Sequence, residues 1–363
     1  MLQEGLNILY KADLDNLIRR DPIAIGLFTN LKDVPISKIR AISQMNNPRL
    51  IADKPMLLIN YKAGEIIAYL GAYHDYIIAG GKKTPIGWTN DLWVHPARRG
   101  QGLAGNLVVE LYKQFDGNLI VADYVPNTFH IYNSKGKFSK LKPIDGKRIF
   151  LQKPDAAWME KRFGLSLKKN LLNTYLKFLP DKHIEIKETS LLYKQNTIYK
   201  LETEHQNFID LCKQETIFNY STEEWQHWLL LPWLSETEQE ERFHFSTYSK
   251  PFKQFCLELR DNANTIKALL FIMVRGEELK VKQIYTSQEN YDEVIKTIIY
   301  TAQKFASKQI LLYDANVLAL LKKYSRHYIF AANSKKHLLC GNSIFNTLQN
   351  AHINVSDGDL AFT

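Results

Sequence analysis

The segment Trp93-Val94-His95-Pro96-Ala97-Arg98-Arg99-Gly100-Gln101-Gly102-Leu103-Ala104-Gly105 constrains this chain more than any other. A short apolar strand runs into a turn that carries two arginines and three glycines. A helix follows at once, because Ala104, Leu107, Val108, Leu111 and Phe115 fall at helical spacing. Glycine lets the backbone turn tightly and brings its N–H groups close to a ligand. The first N–H groups of the helix have no partner within it and point back at the loop. The helix dipole adds partial positive charge there and the arginines add full charges. A strand–loop–helix unit of this kind is an anion site suited to a phosphate or pyrophosphate.

Two patterns compete for the loop. Gly100, Gly102 and Gly105 match the dinucleotide fingerprint G-x-G-x-x-G, and Asp123 follows on the next strand at about the right distance. In that fold, however, the strand feeds straight into the first glycine. Here His95 to Arg99, with a proline among them, intervene, and the residues upstream read as a β-meander. The second pattern fits better. Arg99-x-x-Gly102-x-Ala104 resembles the R/Q-x-x-G-x-G/A loop of the GCN5-related N-acetyltransferases, and the wider string apolar-Val-His-Pro-x-x-Arg-Gly-x-Gly-Leu is similar to that superfamily's motif A. The resemblance is specific over residues 56–138 or so. It implies an acyl-CoA N-acyltransferase fold, an α/β architecture whose mixed, mostly antiparallel sheet is flanked by helices. It also implies that loop amides from Gly100, Gln101, Gly102, Leu103, Ala104 and Gly105 hold the pyrophosphate of acetyl-CoA, the co-substrate. Arg99 would lie beside them, Leu92, Trp93 and Val94 along the pantetheine arm, and Asn127 would complete the donor site.

At 363 residues, with 45% hydrophobic and 12% aromatic content, the chain suits two domains with sizeable cores. There is no apolar run of the length that spans a bilayer, and Met1-Leu2-Gln3-Glu4-Gly5 lacks the pattern of a secretory signal. Cys212, Cys256 and Cys340 lie far apart with no C-x-x-C pair, which argues against a disulfide framework or a metal site and for a reducing cytoplasm. The net charge is +9, and residues 135–169 alone hold eleven Lys/Arg against three Asp/Glu. That stretch reads as a solvated basic face. No zinc finger, helix-turn-helix or aromatic–basic RNA motif accompanies it, so nucleic acid is not the expected partner, and no membrane is expected either.

The pattern along the chain predicts helices at 7–20 and 36–45, a hairpin from strands at 55–61 and 66–73, a strand at 87–94, the motif helix at 102–115, a strand at 119–125 and a short helix at 128–134. Residues 162–178 read as one or two connector helices. The last third repeats the order faintly. Helices at 204–215 and 222–231 precede strands at 255–259, 266–274 and 279–285, a helix at 291–305 and a strand at 309–313. Thr222-Glu223-Glu224-Trp225 carries a capping-box start. The loop equivalent to the glycine segment reads Thr286-Ser287-Gln288-Glu289-Asn290, with no glycine, no arginine and one carboxylate. The expected organisation is a catalytic domain at 1–150, a connector at 151–195 and a second, related domain at 196–363 that lacks a cofactor loop.

Amide formation from a thioester needs a base for the ammonium and an acid for the leaving thiolate. Asp91 is the only carboxylate on the motif strand and the candidate base. Alternation puts Asp91, Trp93 and His95 on one face, and a plain turn carboxylate is the competing reading. His95 reads as a surface residue beside Pro96, and His74 and Asp75 are outside candidates. In the superfamily the acid is a tyrosine in an N…Y…GF pattern, which Asn127, Tyr132, Gly136 and Phe138 resemble. The Asn-to-Tyr spacing is two residues short of the superfamily's, and Lys137 separates Gly136 from Phe138, so the alternative of a core aromatic stays open for Tyr132. Trp225, Trp228 and Trp233 line either a substrate pocket or a helix-packing face. The expected activity is acetyl-CoA-dependent acetylation of a primary amine, with a small molecule as acceptor. The alternatives are an acyl-CoA-sensing module without catalysis, an aminoacyltransferase of the tandem type and, last, a dinucleotide-binding protein.

Overall fold

The structure, a computed structural model, describes residues 2–20, 33–122, 124, 126–133, 136–153, 183–212, 217–238, 242–351 and 353. The expected connector helices at 162–178, the acidic segment 357–363 and Asp123 lie outside them. The chain forms two compact units, one from residues 1–143, 214–249 and 336–363, the other from 144–213 and 250–335.

The first unit is built on seven strands: β1 (Gly5–Leu9), β2 (Leu57–Lys62), β3 (Glu65–Ala79), β4 (Lys82–Val94), β5 (Leu119–Ala122), β6 (Phe138–Lys140) and β14 (Leu338–Gly341). Their order in the sheet is β1-β2-β3-β4-β5-β14-β6. β1 to β4 run antiparallel, β5 joins β4 in parallel, and β14 is antiparallel to both β5 and β6. Alternation along β2 sorts the core. Leu57 and Ile59, with Ile66 and Tyr69 of β3, pack against helices α1 (Lys11–Arg20) and α2 (Lys38–Met45) through Leu14, Ala41 and Met45. Leu58, Ala68, Leu70 and Ala72 face the other way, against Leu107, Val108, Leu111 and Phe115 of α3 (Leu103–Gln114). Gly87 is a packing glycine, since a Cβ there would meet the Phe115 ring at 2.8 Å. The unit also holds α4 (Pro126–Asn133).

The second unit repeats the sheet with β7 (Ile144–Phe150), β8 (Lys194–Ile198), β9 (Phe252–Arg260), β10 (Ile266–Arg275), β11 (Glu278–Thr286), β12 (Gln309–Leu312) and β13 (Phe330–Lys336) in the order β13-β7-β12-β11-β10-β9-β8. β8 to β11 are antiparallel, β12 joins β11 in parallel, and β7 is antiparallel to β12. α5 (Thr203–Cys212) follows β8 in the chain. α7 (Tyr291–Lys304) buries Val294, Ile295, Ile298 and Ile299 in its core, and α8 (Ala315–Leu320) adds Val317. The first unit also contains α6 (Thr222–Leu230) and the short helix α9 (Phe345–Gln349).

Two expectations change. Asn7 to Leu9 form a strand rather than the start of a helix, because β1 zips onto β2 from Gly5↔Tyr61 to Leu9↔Leu57. The Asp13 carboxylate, accepting from Tyr10 N–H at 2.9 Å, then starts α1. The consecutive segments 1–150, 151–195 and 196–363 differ from the compact units observed. β14 hydrogen-bonds between β5 and β6, residues 214–249 return to the first unit, and β7 leaves for the second.

Candidate active site

The parallel ladder between β4 and β5 runs from Gly87↔Leu119 to Thr89↔Val121 and stops there. Beyond Thr89 the other edge of β4 stays paired to β3, with Asn90 opposite Gly71, Trp93 opposite Tyr69 and Val94 opposite Ala68. β4 carries one extra residue in that stretch, and Asp91 takes it up with φ 51°. A bulge bends its strand, and here it coincides with the parting of β4 from β5. The bulge also settles the facing of the strand. Leu92 and Val94 pack on the α3 side, while Trp93 packs with the α2 side.

His95 ends the strand, and its Nδ1 accepts from Ala97 N–H at 3.2 Å, capping a 3-10 turn at Pro96–Arg98. The sequence suggests a surface residue beside Pro96, and the structure has it half-buried just past the end of β4. Arg98 and Arg99 are exposed. Gly100 has φ 81° and Gly102, the residue capping α3, has φ 76°. These left-handed conformations favour glycine, which has no Cβ to strain there. No side chain caps the start of α3 and no acidic residue lies in its first turn. A Cβ added at Gly100, Gly102 or Gly105 meets nothing within 4 Å. The loop therefore offers open space, uncapped N–H groups from Leu103, Ala104 and Gly105, and positive charge, a donor set that fits a pyrophosphate. Asn90 Nδ2, next to the last rung, is buried without a hydrogen-bond partner among the described residues.

Tyr132 of α4 is buried with Phe138, Leu339 and Val121, and its hydroxyl lies 3.3 Å from Thr89 Oγ1. Burial pushes its phenol up to about 12 against the Thr89 bond, so it stays protonated at neutral pH. Asn127 lies on α4, with its side chain outside the described residues. Asp91 is not a free carboxylate. Arg40 Nη1 of α2 donates to its Oδ1 at 2.6 Å and its Oδ2 at 2.7 Å. Burial raises its pKa, and Arg40 pulls it back. Arg40 in turn donates to Ser246 C=O at 3.0 Å and stacks on Trp233 and Phe243.

The outside candidates are structural. His74 is buried, with Nδ1 accepting from Ile51 N–H and Nε2 against Pro55 C=O. Asp75 belongs to a buried network in which Arg49 Nη1 donates to its Oδ1 at 2.8 Å, while Trp88 Nε1–H and the Tyr220 hydroxyl both donate to Oδ2 at 3.0 Å. Arg49 Nε also donates to Glu224 at 2.6 Å. Trp225, Trp228 and Trp233 are buried, which is the packing role, and the capping box starts at Ser221 rather than Thr222.

One group of residues escaped the sequence reading. Phe243-His244-Phe245 lies against Tyr69 and Trp93. No local spacing reveals it, since Tyr69 and His244 are 175 positions apart. In the second unit, Glu204, His205 and Glu258 place ligand atoms within 4.8 Å of one another. Arg260 Nη2 donates to both carboxylates at 2.5 Å, so a guanidinium already fills the place of a cation. The Thr286–Asn290 loop of that unit starts α7 with Asp292 and Glu293 in its first turn.

Residues 28–125 match the model of the "Acetyltransferase (GNAT) family". No curated protein matches the chain. Among solved structures, a conserved protein of unknown function from Enterococcus faecalis V583, described there as a probable N-acyltransferase, aligns with a TM-score of 0.51 at 7% identity, over 99% of this chain and 74% of its own. A GCN5-related N-acetyltransferase from Kribbella flavida aligns at 0.48 and 14% identity, over 92% and 71%. Saccharomyces cerevisiae N-myristoyltransferase with bound myristoyl-CoA aligns at 0.49 and 12%, over 94% and 80%.

Proposed function

We propose that this chain, an N-acyltransferase through the GNAT-family domain of residues 28–125, transfers the acetyl group of acetyl-CoA to the primary amine of a small molecule. One observation carries the reading. The β4–β5 ladder ends at Thr89↔Val121 just where the uncapped, glycine-lined start of α3 offers an anion site. In this reading the N–H groups of Gly100 to Gly105 hold the pyrophosphate and Arg99 adds charge. Leu92, Trp93 and Val94 run along the pantetheine arm, where a backbone N–H polarises the thioester carbonyl. Asn127, at the start of α4, completes the donor site in this reading.

Tyr132 donates the proton that the departing thiolate takes up. Its hydroxyl is beside the last rung and its burial keeps the proton on. Asp91 serves the site through Arg40, because a carboxylate held by two charge-assisted bonds is a weak base. The second unit has acidic residues where the first has glycines, and we assign it no donor site. We place the protein in a reducing cytoplasm on the wide spacing of Cys212, Cys256 and Cys340 in the sequence. Among the described residues no helix is long and apolar enough to cross a membrane.

The test is incubation with acetyl-CoA and a panel of amino sugars, amino acids and polyamines. Free thiol is followed continuously and the product is identified by mass spectrometry. An acetamide formed in step with thiol release is the expected result. Acetyl-CoA binding with no transfer to any amine would favour the acyl-CoA-sensing alternative. Transfer only from long-chain acyl-CoA would replace acetyl as the donor group.

A further inference from the structure

The reading of β4 as the donor strand leaves the acceptor's proton without a destination, since both oxygens of Asp91 bind Arg40. A group that receives it must be open to solvent and lie on the face of the sheet that carries Tyr132. His337, in the first unit, meets both conditions.

Strand pairing places this residue. Thr89 of β4, Val121 of β5, Leu339 of β14 and Lys140 of β6 are partnered in turn and form one row across the sheet. Partnered residues share a face, and here it is the face of α3 and α4. Tyr132 packs with Val121 and Leu339 and reaches Thr89, while Lys140 Nζ lies 4.1 Å from the centre of the Phe129 ring on α4. His337 precedes Leu339 by two residues, which along an extended chain gives the same face about 7 Å further on. It is exposed. The Tyr124 ring has the same facing, because it packs against the core that holds Tyr132 and meets the His337 imidazole edge-on, at 6.4 Å and 66°. β14 is antiparallel to β5, so its start lies beside the end of β5, where β4 has already parted. β5 ends at Ala122, the partner of Leu338. His337 thus stands one residue beyond the ladder that separates β14 from the gap.

We infer that His337 is the general base that takes the acceptor's proton at the donor cleft. The inference rests on the acyl-CoA reading of β4.

Imidazole suits the task, because near neutral pH it accepts a proton and returns it to water. Neighbouring strands lie about 4.8 Å apart, so the middle of the gap is about 7 Å from β14. A histidine side chain and one water bridge that span. The titratable described groups on the neighbouring elements are Tyr124 after β5, His130 and Tyr132 of α4, Lys140 of β6 and Lys336 beside His337 in the chain. Among the described residues none makes a hydrogen bond or ion pair with His337, whose contact is the Tyr124 ring.

The proton moves balance. The acceptor ammonium gives one proton to the imidazole and becomes a neutral amine. Its lone pair forms the C–N bond, the C–S bond breaks, and the thiolate takes the Tyr132 proton. The second amine proton goes to Tyr132, and the imidazolium releases its own to water.

Two probes that need no specific acceptor pocket separate a base from a packing residue. Water must lose a proton to attack acetyl-CoA. Hydroxylamine is already a neutral amine at neutral pH and needs no base to become one. Thiol release follows both reactions, and calorimetry with acetyl-CoA reports the donor site. His337→Gln should keep acetyl-CoA affinity and the melting temperature, lower thiol release with water by about 10²–10⁴ and leave release with hydroxylamine within about threefold. Tyr132→Phe should lower both reactions. A His337→Gln protein with the wild-type rate toward water overturns the assignment. So does an equal loss with both probes, which marks a packing effect, and so does a wild type that binds acetyl-CoA but releases thiol with neither probe. Failure of the wild type to bind acetyl-CoA would instead fault the reading of the loop, and the calorimetry shows it separately.

Discussion

At Tyr132 the surroundings decide between proton donor and core aromatic, and they leave it able to be both. The ring packs with Phe138 in the core, yet the hydroxyl reaches Thr89, the last residue of β4 paired to β5. Tyr132→Phe removes only the hydroxyl. Turnover should fall by about 10²–10⁴, with acetyl-CoA affinity nearly unchanged, in steady-state assays once an acceptor is in hand. A near wild-type rate would move the acid elsewhere. A second residue-scale prediction concerns Glu224. Burial pushes its carboxyl up, but the Arg49 guanidinium and the Ser221 bonds outweigh that and hold it below its usual range. Its stabilisation is then complete above the unfolded value near 4.3 and is lost as pH falls through the folded one. Glu224→Gln should lower the melting temperature at neutral pH and flatten its decline below about pH 4. A melting curve with unchanged acid dependence would contradict this. Arg49→Met, which leaves Asp75 buried without its cation, should cost about 3–5 kcal/mol in urea unfolding. The sequence shows the glycines and Tyr132 because their chemistry is local. It hides Arg40, Arg49 and His244, whose partners are made by the fold.

The elements read from periodicity are the long ones. α3, β3, β4 and α7 each bury a face, and apolar spacing alone reveals them. β6 and β14 are three or four residues long and too short to carry a period. β6 and β14 are set by pairing with strands elsewhere in the chain, which no local pattern records. β14 shows how tight that pairing is. A Cβ on Gly341 would sit 1.8 Å from the Gly117 carbonyl oxygen, in the turn after α3. Gly341→Val should therefore destabilise the protein by about 1–3 kcal/mol, measured by chemical unfolding, because backbone must shift. A neutral effect would mean that β14 does not lie between β5 and β6. The first-domain resemblance was legible down to the bulged strand, whereas the bulge itself was not. Asp91, Trp93 and His95 alternate in sequence, and only the register shows Asp91 turned onto Arg40.

Across the whole molecule, the same sheet order occurs twice, and in each unit the sixth strand comes from outside the unit's main run of chain. The repeat of hairpin, strand, helix and strand is visible in the sequence. The exchange of β7 and β14 is not, since both are set by pairing with strands far away in the chain. One consequence is that a chain cut at residue 200 loses β14 together with residues 214–249, so it cannot serve as an isolated donor domain. Both units also part their parallel strands early, with β11 and β12 paired only from Glu278↔Gln309 to Lys280↔Leu311. They differ in what stands at the helix start, glycines and arginines before α3 and carboxylates at α7. One donor site per chain follows from that contrast. Isothermal titration calorimetry of acetyl-CoA into the full chain and into Gly102→Val tests it most directly. The wild type should bind one acetyl-CoA per chain, and the variant, whose side chain fills the open space at the start of α3, should bind none while unfolding like the wild type to within about 1–2 kcal/mol. Two sites per chain, or equal affinity in the two proteins, would contradict the account.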